Sequence, residues 1–165
     1  MNLNFTNIDQ HTIPMPDFKL NWRFTDKTYD KLPDQDLDEL KPLDENGARF
    51  IWNYYMTRAN LHEGFPFRKG FFSSVDQRAL TDDGEKDIRT WLHEKGIAPS
   101  HRVFVSWDPY LAMIVPWNLF RKYFDCFYYT GSDDLTVLDQ HLNWALLCHH
   151  ADSFYFGTKE PFKTN

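Results

Sequence analysis

Apolar residues recur along the chain in two periods, and the period changes near residue 100. From Asp44 to Leu61, the residues Phe50, Ile51, Tyr54, Arg58 and Leu61 fall on one face at helical spacing. Trp52 and Met56 lie on another face, so this helix is expected to be covered on two sides. Asp44 and Glu45 occupy its first turn, where the helix dipole favours negative charge. A second helix is predicted from Asp82 to Lys95. Asp82 and Glu85 have capping-box spacing, Ile88, Trp91 and Leu92 form the apolar stripe, and Gly96 ends it. Between the two helices, Gly64, Pro66 and Gly70 interrupt any pattern. Residues 62–80 therefore read as loop, with a short helical turn from Val75 to Leu80.

Beyond residue 100 the period drops to two. Val103, Val105 and Trp107 alternate with Arg102, Phe104 and Ser106, as in a strand. Asp108-Pro109 turns the chain, and Leu111 to Val115 is a second strand. Pro116 suits the start of a helix carrying Leu119, Phe120, Tyr123 and Phe124. Short strands are predicted at Phe127–Tyr129, Leu135–Leu138, Trp144–Cys148 and Ser153–Phe156. Turns at Gly131–Asp134, Asp139–Asn143 and His149–Asp152 link them, and Gly157 closes the last. Short links imply antiparallel pairing, because parallel pairs need long crossovers.

Residues 1–45 have a different texture. Pro14, Pro16, Pro33 and Pro42 deny them long hydrogen-bonded elements. This segment is expected to be a proline-rich arm wrapping the domain. Phe18, Leu20, Trp22 and Phe24 alternate like a short strand. Asp34 to Leu40 reads as one or two helical turns, with Asp34, Asp36, Asp38 and Glu39 at the N-terminus. The fold class is α+β: an antiparallel sheet from the C-terminal half, packed against helices from the N-terminal half. At 165 residues, the whole chain, 1–165, is expected to be a single domain.

Composition narrows the function. Aromatics make up 18% of the chain, so the interior is expected to be rich in rings. The net charge is −6, and the densest basic stretches are the pairs Arg68-Lys69 and Arg121-Lys122. Nucleic-acid binding needs clustered Lys and Arg, so no nucleic-acid partner is expected. The longest uncharged stretch, Pro109 to Phe120, is too short to cross a bilayer, so no membrane partner is expected either. Met1 to Phe5 lack the pattern of a secretory leader. Two cysteines, Cys126 and Cys148, do not make a disulfide framework. The expected location is the cytoplasm.

Four sets of residues could carry chemistry. In Cys148-His149-His150-Ala151-Asp152, every polar side chain is a potential zinc ligand, with His141 or Asp139 as an outside donor. If 144–148 is a strand, however, Cys148 points into the core with Trp144 and Leu146, and His149 points the other way. The competing reading is a buried small residue followed by a surface hairpin turn. Ser132-Asp133-Asp134, with Asp139, could hold a hard cation or act as acid and base. The same residues are ordinary turn formers. Ser73, Ser74, Ser106 and Ser132 sit in no G-x-S-x-G elbow, and no phosphate-binding glycine motif occurs. Finally, Arg58, Arg68 and Arg102 stand among aromatics, as interface residues and packed core residues both do.

The stretch Trp117 to Gly157 brings together Leu119-Phe120, Tyr123-Phe124, Phe127-Tyr128-Tyr129, Ser132-Asp133-Asp134-Leu135, Trp144-Ala145-Leu146, a His-His-x-Asp turn and Phe154-Tyr155-Phe156-Gly157. It resembles the C-terminal half of small uncharacterised bacterial proteins, some of them immunity proteins of polymorphic toxin systems. It is also similar to SMI1/KNR4-like partner-binding α+β domains. The resemblance implies a fold and a protein partner, and no catalytic residue. The sequence thus favours a bacterial, cytoplasmic, non-catalytic protein-binding domain without a cofactor. The alternative is a small enzyme or metal-dependent protein using His149, His150 and Asp152, with His141.

Overall fold

The computed structural model describes residues 2–29, 31–60, 64–82 and 84–159. Along the chain lie α1 (Trp22–Thr25), α2 (Asp34–Leu37), β1 (Lys41–Pro42), α3 (Glu45–Met56), β2 (Ser74–Ala79) and α4 (Gly84–His93). There follow β3 (Arg102–Asp108), β4 (Leu111–Pro116), α5 (Trp117–Lys122), α6 (Phe124–Phe127), β5 (Leu135–Leu138), β6 (Trp144–His149) and β7 (Ser153–Thr158). Among the described residues the strands form one sheet in the order β1-β4-β3-β5-β6-β7-β2. Every pairing is antiparallel, as the short links require. The fold is α+β.

The alternation read in β3 holds, but both of its faces are buried. Val103, Val105 and Trp107 enter one core with Trp144, Leu146 and Cys148. Ile88, Trp91 and Leu92 of α4 cover that face, together with Trp117 and Phe120 of α5 and Phe124 and Phe127 of α6. Phe104 enters the second core with Ile114, Leu138, Ala145 and Leu147. Ala48, Ile51 and Tyr55 of α3 close it. The N-terminal arm reaches both: Phe18, Phe24, Leu32 and Leu40 join the first core, Ile8 and Leu43 the second.

Asp44 caps α3 by accepting the Gly47 N–H at 2.8 Å. The helix turns Gly47, Ala48, Ile51 and Tyr55 inward, one position away from the predicted face. Phe50 and Tyr54 instead pack edge-on against Phe5, at 5.0 and 4.8 Å between ring centroids. Leu61, the expected end of that face, lies outside the described residues. The stripe of α4 is as predicted, and Gly96 follows it with a φ of 70°.

Three predicted elements differ. Residues 18–24 are not a strand. They form turns and α1, with Asn21 N–H donating to Phe18 O and Thr25 N–H to Asn21 O. The cause is Arg23, which alternation assigns to the polar face but which turns inward to Asp133. Phe127–Tyr129 is not a strand either, because Tyr128 N–H closes a helical turn on Phe124 O. Residues 75–79 of the expected helical turn lie instead in strand β2. This strand has no apolar alternation and all its residues are exposed, so only pairing with β7 specifies it.

The arm is fastened by a buried ion pair. Arg23 Nη1 donates to Asp133 Oδ2 at 2.7 Å, and Nη2 to Oδ1 at 3.3 Å. Asp133 Oδ2 also accepts the Tyr129 N–H at 2.7 Å. The guanidinium lies 4.0 Å from the centroid of the Tyr129 ring. Removing one member of such a pair leaves an uncompensated buried charge, whereas replacing both with apolar groups is often neutral. Arg23→Leu should therefore cost about 3–5 kcal/mol in urea unfolding. The double variant Arg23→Leu/Asp133→Leu should recover most of that loss. Equal stability of Arg23→Leu and wild type would show that the pair does not hold the arm.

Candidate functional site

The β6–β7 hairpin begins its turn at His150. Asp152 N–H donates to His149 O at 2.9 Å, and Asp152 takes a φ of 60°, a conformation Asp tolerates. Its carboxylate faces away from the histidines. Asp152 Oδ1 lies 2.8 Å from Tyr128 Oη and 2.5 Å from Thr130 Oγ1. Burial, reinforced by the Asp152 carboxylate, raises the Tyr128 phenol well above its usual range and keeps it a donor.

Asp134 takes the place expected of Asp152. Strands β5 and β6 pair Leu135 with Cys148, and one step further that register sets Asp134 opposite His149. Asp134 Oδ1 accepts the His150 N–H at 2.9 Å and lies 2.9 Å from His150 Nδ1. Partial burial raises its carboxyl, but the His150 amide and ring, with the charges of His150 and His149, more than offset this. The group is held below the usual carboxylate range. The two imidazoles lie 4.0 Å apart between ring centroids. One ligand atom each from Asp134, His149 and His150 fall within 4.8 Å of one another. Neighbouring strand residues point to opposite faces, and only the turn starting at His150 brings both rings to one side. Phe65 meets the His149 ring edge-on at 5.0 Å.

His141 is not part of this group. It lies in the β5–β6 connection, at the opposite end of β6 from His149. Cys148 is fully buried in the first core, where burial, then the Asp133 charge, raises its thiol well above the usual value. Cys126 is buried as well. Asp133 is taken by Arg23. Ser132 Oγ donates to Tyr129 O at 3.3 Å, and Ser73 Oγ lies 3.2 Å from Thr158 O. Ser106 is buried in β3, and Ser74 is exposed in β2. Of the arginines, Arg58 lies 4.1 Å from the Tyr54 ring centroid, and Arg102 pairs with Asp9 at 3.0 Å. Arg68 lies on the 64–73 loop, where its N–H donates to Ala59 O.

A second titratable pair escapes the sequence pattern. His101 Nε2 lies 3.0 Å from Asp139 Oδ2. The other oxygen of Asp139 accepts the His141 and Leu142 N–H groups at 3.0 and 2.9 Å. The pair borders a cleft of about 280 Å³ with Phe5, Arg102, Phe104 and Gln140. A buried carboxylate orienting an imidazole is an arrangement suited to proton transfer. Only the pairing of β3 with β5, Phe104 opposite Leu138, reveals it.

A family model described as a protein of unknown function, DUF2947, matches residues 12–155. The chain belongs to the DUF2947 family. That match spans the arm's end, both cores, the Asp134–His149–His150 group and the His101–Asp139 pair. Neither the curated proteins nor the solved structures contain a match. The likeness to immunity proteins and SMI1/KNR4-like domains finds no support among these comparisons. Among the described residues, no helix is long and apolar enough to cross a membrane.

Because the folded Asp134 carboxyl titrates below its unfolded value, its contribution to stability is full above the unfolded value, near 3.9. It is lost as pH falls through the folded value. The pair is largely exposed, so solvent screening limits it to a few tenths of a kcal/mol. In urea unfolding, Asp134→Asn should be slightly less stable than wild type at pH 7. The gap should close as the pH is taken well below about 4.

Proposed function

We propose that this protein is a cytoplasmic, non-catalytic protein-binding domain that takes an extended segment of its partner along the outer edge of β2. The observation behind this reading is the contrast between the two edges of the sheet. At the β1 edge, Pro42 has no N–H, its carbonyl accepts the Ile13 N–H at 2.9 Å, and Thr12 bridges Leu43. That edge is closed in the way sheets avoid unwanted pairing. At the other end, among the described residues, β2 pairs with β7 alone.

The register identifies which groups are free. Leu80 N–H donates to Asp152 O at 2.8 Å, so Arg78, Asp76 and Ser74 also turn their backbone groups toward β7. Val75, Gln77 and Ala79 therefore present their N–H and C=O groups outward. Charged edge side chains normally deter a docking strand. Here Asp76 is bonded to Trp91 Nε1 at 2.8 Å and to Lys95, and Arg78 Nε to Asp87 at 2.9 Å. Both charges are drawn onto α4. On the opposite face, Val75 and Phe65 are 46% and 61% exposed, and Gln77 reaches Tyr155 Oη at 3.3 Å. An added strand with apolar residues on that side and charged ones on the other matches this edge. The two buried thiols fit a reducing compartment. A bacterial toxin, the partner class implied by the sequence resemblance, is one protein that such an edge could accept.

Gln77→Pro removes an outward N–H without touching the β7 ladder. A partner captured from the native host's lysate and then purified should bind this variant roughly tenfold or more weakly, the effect of losing an interfacial hydrogen bond. Gln77→Thr, which keeps the N–H, should bind normally. The partner should also slow amide exchange at Val75, Gln77 and Ala79. A partner that binds Gln77→Pro as well as wild type, or failure to capture any, would remove the proposal.

A further inference from the structure

We infer that the turn at the end of β6 binds one divalent late first-row transition-metal ion, of the zinc class, through His149, His150 and Asp134. Three features carry this. The first is convergence: a ligand atom from each side chain lies within 4.8 Å of the other two. A tetrahedral ion with bonds of about 2.0–2.1 Å needs ligand atoms about 3.3 Å apart, within small side-chain rotations of that spacing. His150 Nδ1 and Asp134 Oδ1 are already 2.9 Å apart, so the ion would replace the proton they share.

The second is redundancy. One imidazole suffices to pair with Asp134, yet a second ring stands 4.0 Å from the first. Among the described residues, His149 Nδ1 is engaged by the Ala151 N–H at 3.3 Å, a long contact that a metal bond would displace. The third is support from outside the group. The His150 N–H holds the Asp134 carboxylate, and Phe65 borders the His149 ring, so two of the three ligands are positioned by contacts that survive metal binding. The nearby carboxylates of Asp133 and Asp152 are bound to Arg23 and to Tyr128, leaving Asp134 as the acidic donor.

The donor set selects the metal. Two imidazoles disfavour Mg²⁺ and Ca²⁺, which take oxygen ligands. They suit zinc and its neighbours in the first transition row. No thiolate joins them, because Cys148 is buried on the face that holds the first core. Asp134 and His150 are exposed, so the remaining coordination positions face solvent, as in sites that bind water or an incoming donor.

The test uses full-length protein without a polyhistidine tag. Co²⁺ is titrated while its visible absorption is followed, and Zn²⁺ is then added in competition. The expected result is one equivalent of Co²⁺ with four- or five-coordinate bands, displaced by Zn²⁺ and unaffected by excess Mg²⁺. His150→Ala and Asp134→Ala should each weaken binding roughly hundredfold, since loss of even an outer partner costs about 10–100-fold. His93→Ala and His141→Ala, at exposed histidines elsewhere, should leave it unchanged. Thermal unfolding of each variant separates ligand loss from misfolding. No saturable binding at millimolar metal would overturn the inference. So would binding that survives both ligand variants, or that is lost with His93 or His141.

Discussion

The inner strands of this sheet are apolar on both faces, and an apolar face left in water is costly, at about 25 cal/mol per Å². Strands β3, β5 and β6 are buried almost throughout, so two separate covers are obligatory. Helix α3 is large enough for only part of one face. The rest falls to α4, α5, α6 and to a segment without long elements of its own. That segment can lie across the sheet because its polar tie, Arg23 to Asp133, is met at both terminal nitrogens by the carboxylate, at Nη1 also by Phe127 O, and across its face by the Tyr129 ring, with only Nε left without a hydrogen bond. A ring-rich composition suits this architecture, since Trp107, Phe127 and Phe120 form one continuous aromatic contact beneath the arm.

The sequence made legible what local pattern encodes. The β3–β4 hairpin, the strands β5 to β7 and the stripe of α4 follow from alternation, turn residues and helical spacing. It could not show β2, whose Ser-Val-Asp-Gln-Arg-Ala run has no buried face and is a strand only because β7 offers it an edge. Nor could it show that Arg23 is an interior residue, since the partner lies 110 positions away. The candidate site was half visible for the same reason. His149 and His150 are adjacent, and Asp152 is near them in sequence, but a hairpin turn sends its carboxylate to Tyr128. The residue that does meet them, Asp134, belongs to a different turn and arrives through strand register. What looked like two separate candidates, one acidic and one histidine-rich, is a single place. His101 and Asp139 were invisible as a pair because neither lies in a recognisable spacing.

The histidine turn and the open edge share a corner of the molecule. Strand β7 leaves that turn and runs beside β2, and Phe65 touches both His149 and Tyr155. One exposed ring thus separates the ligand cluster from the surface beside Val75 and Gln77. Gly157, near the other end of β7, seats the same loop: a methyl group there would stand 2.5 Å from Phe72 Cδ2 and 3.0 Å from Phe67 Cε2, so the bare backbone is what lets these rings approach β7. The loop bearing Phe65 depends on that close approach.

The distance spanned by the Arg23–Asp133 pair also bears on how the protein is made. The arm is synthesised well before its partner: its guanidinium lacks this counter-ion until residue 133 has been made, and β2 has no ladder until β7 follows it out. Until then Phe18 and Phe24 await the rings they pack against, Trp107 and Phe127. Arm and sheet can therefore close the first core only together, once β5 to β7 have been made.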